Sequence, residues 1–396
     1  MTDLSKHNNW PYGMVKTAFI LAPIILSFAL AMDIYMPMLP EMKKVLNTTP
    51  RMIQLTLSIY FLVGGVGQLI IGPISDSYGR YKVLLVSSVF FFIGSFGCIF
   101  SNINWLLFFR FIEAIGACGM FVTAFAMVRD IFSDKKSAVM YSLLNAMVAL
   151  SPIVGPIIGV IISKYFSWYV AFYILSFFSL CSISIIIFQI RETLPFNRRN
   201  ILTLYSFTNY IKISMNITFW SYTIPATVAV TSFFTLFSIT PYIILSCGGP
   251  SDDIIYFFGL VGLGFMIGSI AASLFIKRIG IFITILLGLV LMCIGGIVII
   301  SLNLFYGLNL VAIYIPMTLV TFGGALTAGC SASGALEPFK QLAGSASALF
   351  GAVELGVSAL LGTFIVSYSS VSPIPLSIVI ILGSLISMVF LISIRR

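Results

Sequence analysis

Four ionisable side chains stand well inside long apolar stretches of this 396-residue chain: Asp33, Arg110, Glu113 and Glu354. A charge at the centre of a bilayer costs about 2.5–3.5 kcal/mol on insertion scales, so it is kept there only with a partner or a task. Asp33 and Glu354 offer a carboxylate that holds either a proton or a cation. Mutually exclusive occupancy of one carboxylate by a proton and a substrate is the simplest chemistry of exchange. A cap or an acid at headgroup level is the plainer reading of Asp33. Arg110 and Glu113 are three residues apart, so they share a helical face and can pair. The guanidinium is a fixed charge, and Glu113 either neutralises it or serves as a second proton site. Glu354 sits in Ala348-Leu-Phe-Gly351-Ala-Val-Glu354-Leu-Gly356. The glycines there imply close helix packing, and the acid is expected to face a cavity. Tyr35, Gln54, Tyr60, Gln68, Asn145 and Tyr242 are polar companions that could line it, although ordinary packing would explain each of them alone.

The elements that must position these groups are membrane helices. Hydrophobic residues make up 60% of the chain, charged residues 8%, and the mean hydropathy is +1.11, outside the range of soluble domains. Spans of about 20 residues are expected at 15–39, 52–74, 83–101, 105–128, 137–162, 168–190, 218–246, 253–276, 281–302, 308–334, 341–366 and 372–394. This divides the chain into a first half at 1–190, a polar and basic central loop at 191–217, and a second half at 218–396. The formal charge of +9 reads as a topology signal and not as a nucleic-acid surface. With both termini in the cytoplasm, 16 Lys and Arg fall on the cytoplasmic side and 4 on the other. Both termini are therefore expected inside. The one histidine, His7, lies in the polar N-terminal tail, which excludes a histidine relay or a His-ligated metal. The six cysteines lack metal-ligand spacing. No metal, cofactor, phosphate loop, nucleotide fold or hydrolase triad is expected, and the chain does not read as an enzyme. The first apolar run carries an acid and no small-residue cleavage site, so it reads as a retained helix.

Five segments carry a resemblance. The loop after the second span reads Gly72-Pro-Ile-Ser-Asp76-Ser-Tyr-Gly79-Arg80-Tyr-Lys82. It resembles the signature loop of the major facilitator superfamily, with Ser77 where the family usually has a base. Gly79 permits the sharp turn, and Asp76 is expected to cap the following helix or to pair with a cation across the halves. Gly280 stands 201 residues after Gly79 in the matching loop of the second half. That offset points to two repeated six-helix halves, with a site near the midplane between them. In the fifth span, Ser151-Pro152-Ile-Val-Gly155-Pro156-Ile-Ile-Gly159 resembles the segment that marks the drug/proton antiporters of that superfamily. Asp33-Ile-Tyr35-Met-Pro37-Met-Leu-Pro40, Glu192-Thr-Leu-Pro195 and Gly344-Ser-Ala-Ser347 are similar to the Bcr/CflA drug-resistance subfamily.

The resemblance implies an all-α integral membrane protein of the major facilitator fold, with twelve transmembrane helices in two pseudo-symmetric six-helix halves. It implies a proton-coupled exporter of small amphipathic compounds in a bacterial inner membrane, acting as a monomer. Related transporters place an acid at the Asp33 position in proton and drug exchange, and they implicate the Arg110 position in coupling. The family's fourth-span pattern, Arg-x-x-Gln-Gly, appears here as Arg110-Phe-Ile-Glu113-Ala114, with an acid for the glutamine. Uptake of a nutrient or chelated metal on the same fold is the alternative expectation, and a non-transporting membrane sensor is the second. The buried acids and the antiporter segment speak against the sensor.

Overall fold

In lipid a backbone must satisfy its own hydrogen bonds, and at this apolar density the chain does so by forming helices. The computed structural model describes residues 10–100, 102–194, 205–249, 252–369 and 371–394, and those residues contain no strand. His7 and the expected topology cations Lys6, Arg198, Arg199, Arg395 and Arg396 lie outside the described residues, as do the side chains of Lys135 and Lys340.

In chain order the helices are α1 (Met14–Asp33), a short α2 (Leu39–Val45), α3 (Pro50–Tyr78), α4 (Arg80–Ile99), α5 (Ile103–Ile131), α6 (Asp134–Tyr165) and α7 (Tyr169–Gln189). There follow α8 (Tyr205–Ser214), α9 (Ile217–Ser246), α10 (Asp252–Tyr306), α11 (Val311–Leu336), α12 (Ala343–Tyr368) and α13 (Ile374–Ser393). Among the described residues, 11 helices are long and apolar enough to cross a membrane. α10 has 55 residues and would run to about 80 Å at 1.5 Å per residue, well past the ~30 Å of a hydrocarbon core. Gly280, at φ 81°, breaks it into two crossings, which makes twelve. Gly79 has φ 96° at the equivalent turn of the first six spans. Both glycines occupy the left-handed region that a Cβ disfavours, so the repeat seen in sequence is a repeated backbone turn.

Two elements differ from the sequence expectation. The first span, expected at 15–39, ends as an α-helix at Asp33 and continues through a 3-10 turn at Met36–Met38 into α2. Pro37 and Pro40 have no N–H to give to the carbonyls of residues 33 and 36, so the helix cannot continue straight. Asp33 therefore sits at the end of the α-helix α1, inside a span that continues through the turn to Val45. The second is α8, a helix inside the stretch read as a loop. Ile213 is fully buried and the Tyr210 hydroxyl donates to the Leu69 carbonyl at 3.1 Å. The basic run before this helix masked its apolar face.

The first six spans meet the last six along two seams, α3 against α12 and α6 against α10. Small residues set the distance. A Cβ on Gly65 would lie 3.0 Å from the Ala352 carbonyl oxygen, and one on Gly262 would lie 2.6 Å from the Ile153 side chain. Thr363 donates to Ser58 across the first seam. At the end where α1 stops, the 3-10 turn and α2 rest on α9, whose residues Phe234–Ile244 are buried. The Phe61 and Phe234 rings stack there with centroids 4.5 Å apart. Glu41 of α2 accepts the Trp168 backbone N–H at 3.3 Å, which ties α2 to the start of α7. This end of the molecule is packed shut.

Candidate functional site

Arg110 and Glu113 are both fully buried, and Arg110 Nη1 donates to Glu113 Oε2 at 2.7 Å. The second carboxylate oxygen, Oε1, accepts from the Ser95 hydroxyl at 2.7 Å. Gly94 makes this possible, since a Cβ there would lie 2.5 Å from Glu113 Cα and would force α4 off α5. Arg110 Nη1 also donates to the Ala31 carbonyl at 3.1 Å. That carbonyl belongs to the last turn of α1, where helical acceptors lack partners and the dipole is negative. The guanidinium lies 4.3 Å from the Tyr60 ring centroid and 4.9 Å from that of Tyr35. Tyr60 donates to the Phe28 carbonyl at 2.9 Å, and Tyr35 is hydrogen-bonded to Thr56. Both oxygens of Glu113 are thus engaged, and Arg110 is at once its counter-ion and a cap on α1. Tyr35, an expected lining residue, is fully buried in the arginine cage. Ser95 was not singled out in sequence, where nothing distinguishes it from the other serines of α4.

Asp33 lies two residues beyond that capped carbonyl and is 7% exposed. It forms no ion pair among the described residues. The antiporter-like segment of α6 packs directly on it. A Cβ on Gly155 would lie 2.5 Å from Asp33 Cβ, one on Gly159 would collide with the Ile34 carbonyl oxygen, and the Ser151 side chain stands beside the carboxylate. Pro152 and Pro156 lie inside this helix and remove two of its N–H donors. Gly155→Val should cost about 1–3 kcal/mol by overpacking, read as a lower thermal midpoint in detergent. A variant as stable as the parent would refute this packing. Tyr242 of α9, from the other six spans, lies near Tyr35. It is 8% exposed, and its hydroxyl has no hydrogen-bond partner among the described residues.

Asn145 and Glu354 lie apart from this cluster. At 100° per residue, Asn145 is on the side of α6 opposite the exposed Leu143, Leu150 and Val154, yet it is exposed itself. It therefore faces inward onto open space. Glu354 is half-buried on α12. Gln68 packs against Gly351 at the α3–α12 seam, while the Gln54 amide nitrogen is buried without a hydrogen-bond partner among the described residues.

The signature loop builds a second charge cluster at the far end of α3. Arg80 is 2% exposed, and its guanidinium meets Asp76, Ser75 at 2.6 Å and Asp130 at 2.9 Å. Asp76 pairs with Arg80 four residues on, so it neither caps α4 nor reaches across the halves as expected. The arginine folds back over the turn that Gly79 makes and keeps the pair local. The α4 N-terminus is served instead by Glu192, which accepts the Arg80 backbone N–H at 2.9 Å. Glu192 also accepts from the Leu194 backbone at 3.0 Å. Gly72 has open space around it.

A buried arginine–carboxylate pair, an acid at a proline-broken helix end and a locked loop between the second and third spans describe a carrier frame. The sequence pattern of the Major Facilitator Superfamily matches residues 21–363. The chain belongs to this superfamily. It is 31% identical over 370 residues to a protein of Pseudomonas aeruginosa named "Chloramphenicol resistance protein", covering 92% of this chain and 86% of that one. It is 28% identical to "Multidrug resistance protein MdtL" of Vibrio parahaemolyticus, with 94% of each covered. It is 26% identical to "Bicyclomycin resistance protein homolog" of Haemophilus influenzae, with 88% and 89% covered. Among solved structures it superposes on a D-xylose-proton symporter with a TM-score of 0.74 at 13% identity, over 96% of this chain and 98% of that one. That likeness concerns the fold. Membership makes the protein a multi-pass membrane transporter of small molecules and not an enzyme.

Proposed function

We propose that this superfamily member is a drug/proton antiporter that exports small amphipathic compounds across a bacterial inner membrane by alternating access. Residues 1–190 and 218–396 form the two moving halves, joined by the cytoplasmic segment 191–217, and the protein works as a monomer. The observation that carries the reading is Asp33. It is a buried carboxylate without a counter-ion among the described residues, at a helix end held by Arg110, packed under Gly155 and beside Ser151 at the packed-shut end. Asp33 takes the proton and gives it up when a substrate enters. Arg110 with Glu113 fixes the position of α1, and Tyr35 holds the guanidinium. The drug-resistance names of the relatives support the export direction.

The test is transport in proteoliposomes with an imposed pH gradient and a compound panel, reading proton and substrate flux together. Opposite movement of the two is the expected result. Movement in one direction would make the protein a symporter, and absence of any coupled flux would sink the proposal. Topology is checked separately. A cysteine introduced at Ser206, in the segment between the halves, is expected to resist a membrane-impermeant reagent added outside intact cells. Its labelling from outside would overturn the orientation.

A further inference from the structure

Among the described residues, Glu354 is the one acid within a span for which the fold supplies no partner. Asp33 has the Ser151 side chain beside it, and Glu113 has Arg110 and Ser95. The Glu354 carboxylate makes no hydrogen bond and no ion pair among the described residues, although its backbone carbonyl accepts from Ser358 at 2.6 Å. An unpaired carboxylate at mid-span is costly, so the side chain needs access to water or to a cation.

Helical geometry shows where that access is. Ala343, Ser347 and Glu354 are spaced four and seven apart and form one stripe of α12. Ala343 and Ser347 are exposed, and Glu354 is half-buried at the deep end of the stripe. The seam with α3 is a different face, carried by Ala352, Leu355 and Gly356. The strongly exposed apolar side of the helix, Leu360 at 63% and Phe364 at 67%, is turned about 80–120° away from Glu354. The stripe therefore descends from the signature-loop end of the molecule into the protein, with the carboxylate at its bottom. Asn145 of α6 is exposed on an inward face in the other six spans.

We infer that Glu354 is the cation-recognition group of the substrate cavity, contributed by the second half, and that its ligand class is the bulky organic monocation. The inference rests on the antiport reading and adds the charge of the substrate to it. A metal ion does not fit. Hard cations require six or more oxygen ligands, and among the described residues no group of three or more His, Cys, Asp or Glu could hold a metal. A single carboxylate over apolar walls suits an amphipathic ammonium or phosphonium. Such a ligand needs one counter-charge and gains the rest of its affinity from buried apolar surface. Among the described residues no lysine or arginine pairs with Glu354 and cancels that charge.

Equilibrium binding of tetraphenylphosphonium and of the similarly sized neutral triphenylphosphine oxide to the purified full chain tests this. The parent protein is expected to prefer the cation at least tenfold. Glu354→Gln should lose that preference by weakening cation binding about tenfold and leaving the neutral probe within twofold. Glu354→Asp should recover part of the cation affinity. Ser347→Lys, which adds a positive charge to the same stripe without altering Glu354, should weaken the cation and spare the neutral probe. This second variant stands in if Glu354→Gln does not fold. Equal loss of both probes, an unchanged cation affinity, or no cation preference in the parent would overturn the inference. Failure of the antiport reading shows elsewhere. Parent proteoliposomes without coupled proton flux but with the cation preference intact would reject antiport alone, and coupled flux without the preference would reject only the role of Glu354.

Discussion

Asp33→Asn is expected to abolish proton-driven accumulation while leaving the protein folded in the membrane. Asparagine keeps the volume of the side chain, so the Gly155 contact and the seating of α1 on α6 are preserved. It removes the only chemistry that matters in the proposal, the choice between a proton and a cation. With one proton exchanged per substrate, each pH unit is worth about 1.36 kcal/mol, or roughly tenfold in the accumulation ratio. In the variant that ratio should fall to one, with substrate still able to equilibrate downhill. The measurement is proton flux and substrate gradient in proteoliposomes, together with a thermal midpoint within a degree or two of the parent. Parent-level proton flux from purified Asp33→Asn protein would remove Asp33 from the coupling mechanism.

The second large effect belongs to the arginine. Arg110→Ala leaves Glu113 as a fully buried carboxylate with only Ser95 for company, and strips the Ala31 carbonyl at the end of α1 of its donor. Breaking one member of a buried pair costs about 3–5 kcal/mol. The expected result is a poorly folded, inactive protein. Arg110→Lys should fold better and still transport weakly, because a single ammonium cannot bond Glu113 and Ala31 while lying between the rings of Tyr60 and Tyr35. The pair of substitutions Arg110→Leu with Glu113→Leu separates structure from function. Removing both charges together should restore the thermal midpoint towards that of the parent, yet coupled transport should remain absent because α1 has lost its cap next to Asp33. A stable, transporting Arg110→Ala protein would show that neither role exists.

These two predictions rest on different kinds of information. That Arg110 and Glu113 can pair is legible from a spacing of three, since helix geometry is local, whereas the structure decides that they do. That Arg110 also caps α1 could not be read, because the Ala31 carbonyl is 79 residues away and is unpaired only through the way α1 ends. The same holds for Glu192. It belongs to the subfamily-like pattern Glu192-Thr-Leu-Pro195, but its bond to the Arg80 backbone spans 112 residues and depends on α7 returning beside the signature loop. Asp76 illustrates the reverse case. Residue types and loop position suggested a cap or an interdomain pair, and a local pairing with Arg80 prevailed because Gly79 turns the chain back on itself.

The sequence by itself determined the class of this protein, its twelve crossings, the Gly79 and Gly280 turns and the small set of costly charges. Each follows from short-range rules: the length of apolar runs, the missing N–H of proline, the positive φ open to glycine, the cost of an ion in lipid. Only the tertiary structure decided which acids are consumed and which are free. Glu113 is spent on Arg110 and Ser95, Asp33 sits under Gly155 and Gly159, and Glu354 is left without a partner among the described residues. Partnering inside a membrane is set by which helix faces meet. Those faces are chosen by packing between segments far apart in the chain, where any one helix, apolar nearly all round, carries too little pattern to specify its neighbours.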